Sequence, residues 1–276
     1  MKITDEDILG ADSISALNKL ISACERCSLF KTKTKDVPGV GSETADVMFI
    51  GEAPGKDEDQ QGEPFVGRAG QLLTELIQSL GWQRKDVYIA NVLKHRPPNN
   101  RDPLPEEAQM CWPYLKKQIE LIDPKLIVFL GRHAMNRFFP SLQISKAHGN
   151  AFRKELHFEG LDSRLRGNDK REGGDDKGGD ENDPRTISSV GQAKGGRKQV
   201  FLALYHPAVA LYNGSMKKTL QADFNKIPKI LKRIEEENLN NNDNQPKQQK
   251  LIWQIAVIPD FLPVRQAGIR NPAFII

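Results

Sequence analysis

Four short apolar runs, at residues 47–50, 87–92, 126–130 and 199–205, constrain this chain more than any other feature. Each has the length of a strand, and the stretches between them carry a helical period instead. Residues 68–80 place Leu72, Leu73, Leu76, Ile77 and Leu80 on one face before Gly81 stops the helix, and 219–234 do the same with Leu220, Phe224, Ile227 and Ile230. Further helices are predicted at 11–24, capped by Asp12 or Ser13, at 131–139, and from Pro105-Glu106-Glu107, with Pro113 expected to kink the last. Strands alternating with helices predict an α/β fold: three α/β/α layers around a central four-stranded, mostly parallel sheet.

With 276 residues, 38% of them hydrophobic, the chain can bury one such core with length to spare. The expected domain is 1–234, interrupted at about 161–198 by a Gly-, Asp-, Lys- and Arg-rich segment with too little apolar surface to order itself. Residues 235–276 are expected to be a polar linker and a poorly defined tail. The amino terminus lacks the pattern of a secretory signal and no apolar run approaches a membrane span, so a cytoplasmic protein without a membrane partner is expected. A net charge of +4 permits an anionic partner without requiring one. Three cysteines are an odd count that makes no disulfide framework; reactive or metal-binding roles fit better, and Cys24-x-x-Cys27 is by itself a weak metal signal.

The first strand opens into Gly51-Glu52-Ala53-Pro54-Gly55, then an acidic run with Glu58, then Pro64-Phe65-Val66-Gly67-Arg68-Ala69-Gly70. A Gly- and Pro-rich loop at the carboxyl end of a parallel strand is where open α/β sheets bind ligands. An ordinary strand-to-helix connection reads the same way in Gly51–Gly55 alone. The second strand ends at Asn91 and enters Lys94-His95-Arg96-Pro97-Pro98-Asn99-Asn100-Arg101, read as an exposed basic loop. The fourth ends at Tyr205-His206-Pro207-Ala208.

Taken together and in this order, these motifs resemble those of the family 4 uracil-DNA glycosylases, the iron-sulfur type. The resemblance spans about residues 17–234 outside the insertion. It implies hydrolysis of the N-glycosidic bond of uracil in DNA as the first step of base excision repair, by an enzyme that extrudes the nucleotide into a pocket. On that reading Phe65 stacks on the base, and the Asn91 carboxamide donates to uracil O4 and accepts from N3–H, the reverse of what cytosine offers. His206 stabilises charge growing on O2, and Glu52 faces the sugar, either orienting water or stabilising the cation-like sugar. Gly51 lines the pocket and Glu58 stands near uracil C5. Each residue also has a bland reading: Phe65 in the core, Asn91 and His206 as turn residues, Glu58 as solvated surface.

DNA contact is expected from Arg68, Lys94, Arg96 and Arg101, which would bind phosphates without reading sequence. The family carries a 4Fe-4S cluster on four cysteines. Cys24, Cys27 and Cys111 match three of those positions, and His95 stands at the fourth. Three arrangements are open: a cluster with His95 as fourth ligand, which is the favoured one; a Cys3His zinc site; and a labile three-cysteine cluster with His95 as loop surface. In each the group is structural. The alternatives in function are a catalytically inactive DNA-binding or polymerase-associated module of the same fold, and a related glycosylase acting on other deaminated bases. Nothing in the sequence demands more than a monomer.

Overall fold

The computed structural model describes residues 2–156 and 197–242. The expected insertion therefore lies outside the described residues except for Arg197 and Lys198, and so does the tail beyond residue 242.

The strands are β1 (Val40–Gly41), β2 (Val47–Gly51), β3 (Tyr88–Asn91), β4 (Leu126–Leu130), β5 (Ala151–Leu156) and β6 (Arg197–Leu204). The helices are α1 (Asp5–Leu9), α2 (Ile14–Ser22), α3 (Lys56–Gln61), α4 (Arg68–Ser79), α5 (Pro105–Ile122), α6 (Arg132–Phe138), α7 (Ile144–Ala147), α8 (Pro207–Leu211), α9 (Gly214–Phe224) and α10 (Ile227–Asn242). The sheet order is β1-β3-β2-β4-β6-β5. Its centre, β3-β2-β4-β6, is parallel throughout and corresponds to the four apolar runs.

The sheet has six strands, not four. β1 and β5 add antiparallel edges to β3 and β6. Neither has an apolar run to announce it: β1 is two residues long, and of Ala151–Leu156 only Phe152 is buried. The helix expected over 219–234 is two helices, α9 and α10. Pro228 lies in the first turn of α10, where its missing N–H costs nothing; inside one continuous helix it would break the ladder. α10 then runs to Asn242, so the start of the expected linker is helical. Pro113 sits within α5, which continues to Ile122. Ser13 caps α2, its side chain accepting the Ala16 N–H.

Alternation along the central strands sorts the core into two layers. Val47, Phe49, Val128, Leu202 and Leu204 face a layer completed by Leu73, Leu76 and Ile77 of α4, with Phe224 and Ile227. Met48, Ile50, Ile127, Phe129 and Phe201 face the other, against Leu115 and Ile119 of α5 and Met135 and Phe138 of α6. Burial on both faces explains why these strands read as unbroken apolar runs. It also fixes where chemistry can go. The parallel strands end side by side, at Gly51, Asn91, Leu130 and Leu204, and their following loops form one rim.

Candidate functional site

At that rim Gly51 and Asn91 are paired in register across β2 and β3. A Cβ placed on Gly51 would stand 2.4 Å from Asn91 Oδ1 and 2.6 Å from Phe65 Cζ, so the missing side chain lets a carboxamide and a phenyl ring converge on one point. Asn91 is 1% exposed, and its Oδ1 is buried without a hydrogen-bond partner. A buried acceptor left open in this way costs free energy unless a ligand donor completes it.

Phe65 is held in the left-handed region at φ 54°, a conformation that costs a non-glycine residue of order 1 kcal/mol or more. Two features hold it there. Gly70 lets the first turn of α4 press against the Phe65 carbonyl, where a Cβ would come to 1.8 Å. Arg84 donates to the Pro64 carbonyl at 2.8 Å and to the Phe65 carbonyl at 3.2 Å. Arg84 carries no motif and was not legible as a site residue. Glu58 secures the same turn from the other side: its carboxylate accepts the N–H groups of Gly55 (3.1 Å), Val66 (2.9 Å) and Gly67 (2.9 Å). These bonds tie the loop after β2 to the loop that carries Phe65, and they occupy both oxygens of the side chain expected near uracil C5.

The His206 ring lies 5.6 Å from the Phe65 ring, centroid to centroid, tilted by 30°. His206 caps α8, and its Nδ1 accepts the Ala208 N–H at 3.2 Å. The ring's proton is therefore on Nε2. Burial pushes its pKa down to about 4, so at neutral pH it is an uncharged donor.

Glu52 follows Gly51 directly, with its side chain 26% exposed. Burial, and then the charge of Asp102, raise its pKa to about 7; Arg132 acts against the shift. His133 Nε2 lies 3.8 Å from Glu52 Oε2 and 3.6 Å from Asp102 Oδ2, and accepts from Arg132 Nε at 2.9 Å. Asp102, Arg132 and His133 come from loops and a helix start that no sequence pattern marked. Among the described residues, Glu52, Asp102 and His133 form the one trio of metal-capable side chains whose ligand atoms all lie within 4.8 Å of one another.

The basic residues divide. Arg68 is exposed at the start of α4, and Arg96 is half-buried, its Nε donating to Asn100. Lys94 corrects the expectation of an exposed loop: it is 1% exposed, and its Nζ donates to the Asn91 carbonyl and to Gln118 Oε1, each at 2.7 Å. Burial lowers its pKa to about 7. It braces Asn91 and has no path to a phosphate. Arg101 holds both oxygens of the buried Glu107, at 2.8 and 2.6 Å, so its fork is committed within the protein. Val209 and Tyr212, 44% and 83% exposed, stand on the segment just after His206 as apolar surface that the sequence reading did not mark.

The thiols meet where α2 ends against the loop after β3 and α5. Cys24 and Cys111 are buried and Cys27 half-buried. Burial pushes Cys111 up to about 12, and Cys24 and Cys27 are near enough to add to that shift. Cys27 and Cys111 share a small apolar cluster with Leu29 and Leu93. The Tyr114 hydroxyl stands against Cys24, and Arg26, whose charge acts on Cys27, has Nη1 buried without a hydrogen-bond partner. Three thiols beside an open guanidinium donor fit an anionic group held by sulfur.

The rim of this open α/β sheet gathers a carboxamide, a phenyl ring, a neutral imidazole and a carboxylate at the carboxyl ends of its parallel strands, the position at which such sheets bind ligands. The family model described as the uracil DNA glycosylase superfamily matches residues 38–232, and the chain belongs to that superfamily. It is 43% identical over 219 residues to the "Type-4 uracil-DNA glycosylase" of Archaeoglobus fulgidus, covering 79% of this chain and 94% of that protein. Proteins of the same description from Sulfurisphaera tokodaii and Saccharolobus solfataricus are 40% and 36% identical, over 85% and 87% of their lengths.

Proposed function

We propose that this chain is a uracil-DNA glycosylase that hydrolyses the N-glycosidic bond of uracil in DNA and so begins base excision repair. The observation that carries the reading is the open, buried Oδ1 of Asn91, set against Phe65 above Gly51. Its membership of the superfamily and its likeness to the Type-4 enzymes support the same conclusion.

The residues suggest a division of labour. Phe65 gives the extruded base an aromatic face, worth ~1–3 kcal/mol. Asn91 accepts from uracil N3–H and donates to O4; a cytosine would leave both ends of the carboxamide unmatched. His206 donates from Nε2 to O2 as the C1′–N1 bond breaks and the base takes up the electron pair. Water adds at C1′ of the sugar, and Glu52, with a pKa near neutrality, can accept the proton that water releases. The products are an abasic site and free uracil. Arg68 and Arg96 offer phosphate contacts, and Val209 and Tyr212 offer apolar surface beside the gap an extruded nucleotide leaves.

Cys24, Cys27 and Cys111 would hold a 4Fe-4S cluster, which would tie α2 to α5 and the loop that braces Asn91. Hydrolysis needs no electron transfer, so we assign the group a structural role. A cytoplasmic monomer acting on uracil-containing DNA completes the proposal. Alkaline treatment of a labelled uracil-containing oligonucleotide after incubation tests it: strand cleavage at the uracil is expected, whereas retarded but intact DNA would favour a binding module that has lost catalysis.

A further inference from the structure

Between α3 and α4 the chain turns through Pro64, Phe65, Val66 and Gly67, and the peptide groups of that turn are sorted by polarity. The carbonyls of Pro64 and Phe65 both face Arg84, whose Nη2 donates to the first at 2.8 Å and Nη1 to the second at 3.2 Å. The N–H groups of Val66 and Gly67 both donate to one oxygen of Glu58, at 2.9 Å each, as backbone amides do around a bound anion. In an extended chain successive carbonyls point to opposite edges; the left-handed φ of 54° at Phe65 turns these two to the same side.

Arg84 reaches this turn from outside it. It opens the short turn Arg84–Asp86 ahead of β3, the strand that ends at Asn91. Its Nη1 also donates to Thr74 Oγ1 on α4 at 3.3 Å, while that hydroxyl donates in turn to the Gly70 carbonyl at 3.0 Å. Three acceptors on one planar fork fix the guanidinium, and Glu63 and Glu58 are the carboxylates whose charge acts on it. The two carbonyls are only part-buried, so water could satisfy them; what water does not do is fix the angle between two successive peptides. That angle matters because a left-handed phenylalanine is strained. Relaxation to an ordinary negative φ would carry its ring away from Gly51 and from the His206 ring, 5.6 Å off.

We propose that Arg84 is a positioning residue for base recognition, whose fork presets the Phe65 ring for stacking before DNA arrives and which acts on excision through that ring and not through contact with the nucleotide. The inference rests on the reading of Phe65 as the stacking face. Arg84 then belongs to the pocket although it lies outside every motif that marks it.

The test is a double-mutant cycle on the full chain, read as single-turnover excision from a uracil-containing oligonucleotide, with melting temperatures recorded to show that each variant is folded during the assay. Arg84→Met keeps the apolar stem and removes the fork; its rate should fall roughly ten- to a hundredfold, as for a misplaced contact. Phe65→Ala should fall at least as far, and the double variant no further than Phe65→Ala alone, because no ring is left to position. Arg84→Lys, which keeps the charge without the planar fork, should recover part of the loss, and the same cycle run with it carries the test if Arg84→Met does not fold. Losses that multiply in the double variant, or an Arg84→Met rate equal to the parent's, would overturn the inference while leaving Phe65 as the stacking face. A Phe65→Ala rate equal to the parent's would overturn the stacking reading, and this inference with it.

Discussion

Gly51 and Asn91 face each other across β2 and β3 so closely that one methyl group on Gly51 would stand 2.4 Å from the Asn91 side-chain oxygen. The same methyl would reach 2.6 Å from Phe65. Gly51→Ala must therefore displace the carboxamide, the ring or both. Overpacking of this kind costs about 1–3 kcal/mol of stability, and a misplacement near 1 Å costs roughly a hundredfold in rate. The variant should fold, with a lowered melting temperature, and lose about two orders of magnitude in kcat/KM for uracil excision. Single-turnover kinetics checks it; a rate equal to the parent's would show that the pocket lies elsewhere.

Asn91→Asp replaces an amide that donates and accepts with a carboxylate that only accepts. Uracil O4 then meets an acceptor, and an unmatched buried pair costs about 1–3 kcal/mol, or roughly ten- to a hundredfold in rate. Excision of uracil should fall by that amount, and discrimination against cytosine should narrow. Parallel assays on uracil- and cytosine-containing oligonucleotides measure both effects.

The pH dependence follows from Glu52. Its folded pKa is raised from 4.5 to about 7, so below neutrality the enzyme holds a proton on the group that must accept one. kcat/KM should rise about tenfold per pH unit up to about 7 and level off above it. His206, at about 4, stays neutral through that window and adds no second bend. Stability runs the other way. Between 4.5 and 7 the folded chain binds a proton that the unfolded chain has released, so stability contributed by the protonated form is lost as pH rises through 7. Glu52→Gln should flatten the rate profile at a low level and raise the melting temperature relative to the parent more at pH ~8 than at pH ~5.

Salt titrations separate the basic residues. Arg68→Ala, at an exposed position, should lower the slope of log affinity against log salt by about one if it neutralises a phosphate. Lys94→Met should leave that slope unchanged and lower stability, because its ammonium is spent on Asn91 and Gln118. Filter binding at several salt concentrations distinguishes the two.

The outcome for Lys94 shows where sequence reasoning stops. A lysine in Lys94-His95-Arg96 reads as surface, since burying an ammonium is costly. Its two acceptors come from its own loop and from Gln118, on a different element 24 residues away, and no local pattern records that meeting. The central strands were legible because burial on both faces leaves only apolar residues in them. β5 was not, because an edge strand with Phe152 as its one buried residue looks like loop. Gly51, Phe65, Asn91 and His206 were legible as a set because the motifs that carry them, taken in order, resemble those of a known family; Gly51, Asn91 and His206 also stand at or just after strand ends, whereas Phe65 follows α3. Arg84, Asp102 and His133 were not, since each acts through geometry that only the folded chain creates.

The most direct test of the account is chromatographic measurement of free base released from matched oligonucleotides carrying uracil, cytosine or thymine at one position. The account predicts stoichiometric release of uracil, no thymine or cytosine, and a rate of uracil release roughly ten- to a hundredfold lower in Asn91→Asp. DNA bound with no free uracil, or uracil release that Asn91→Asp leaves intact, would contradict it.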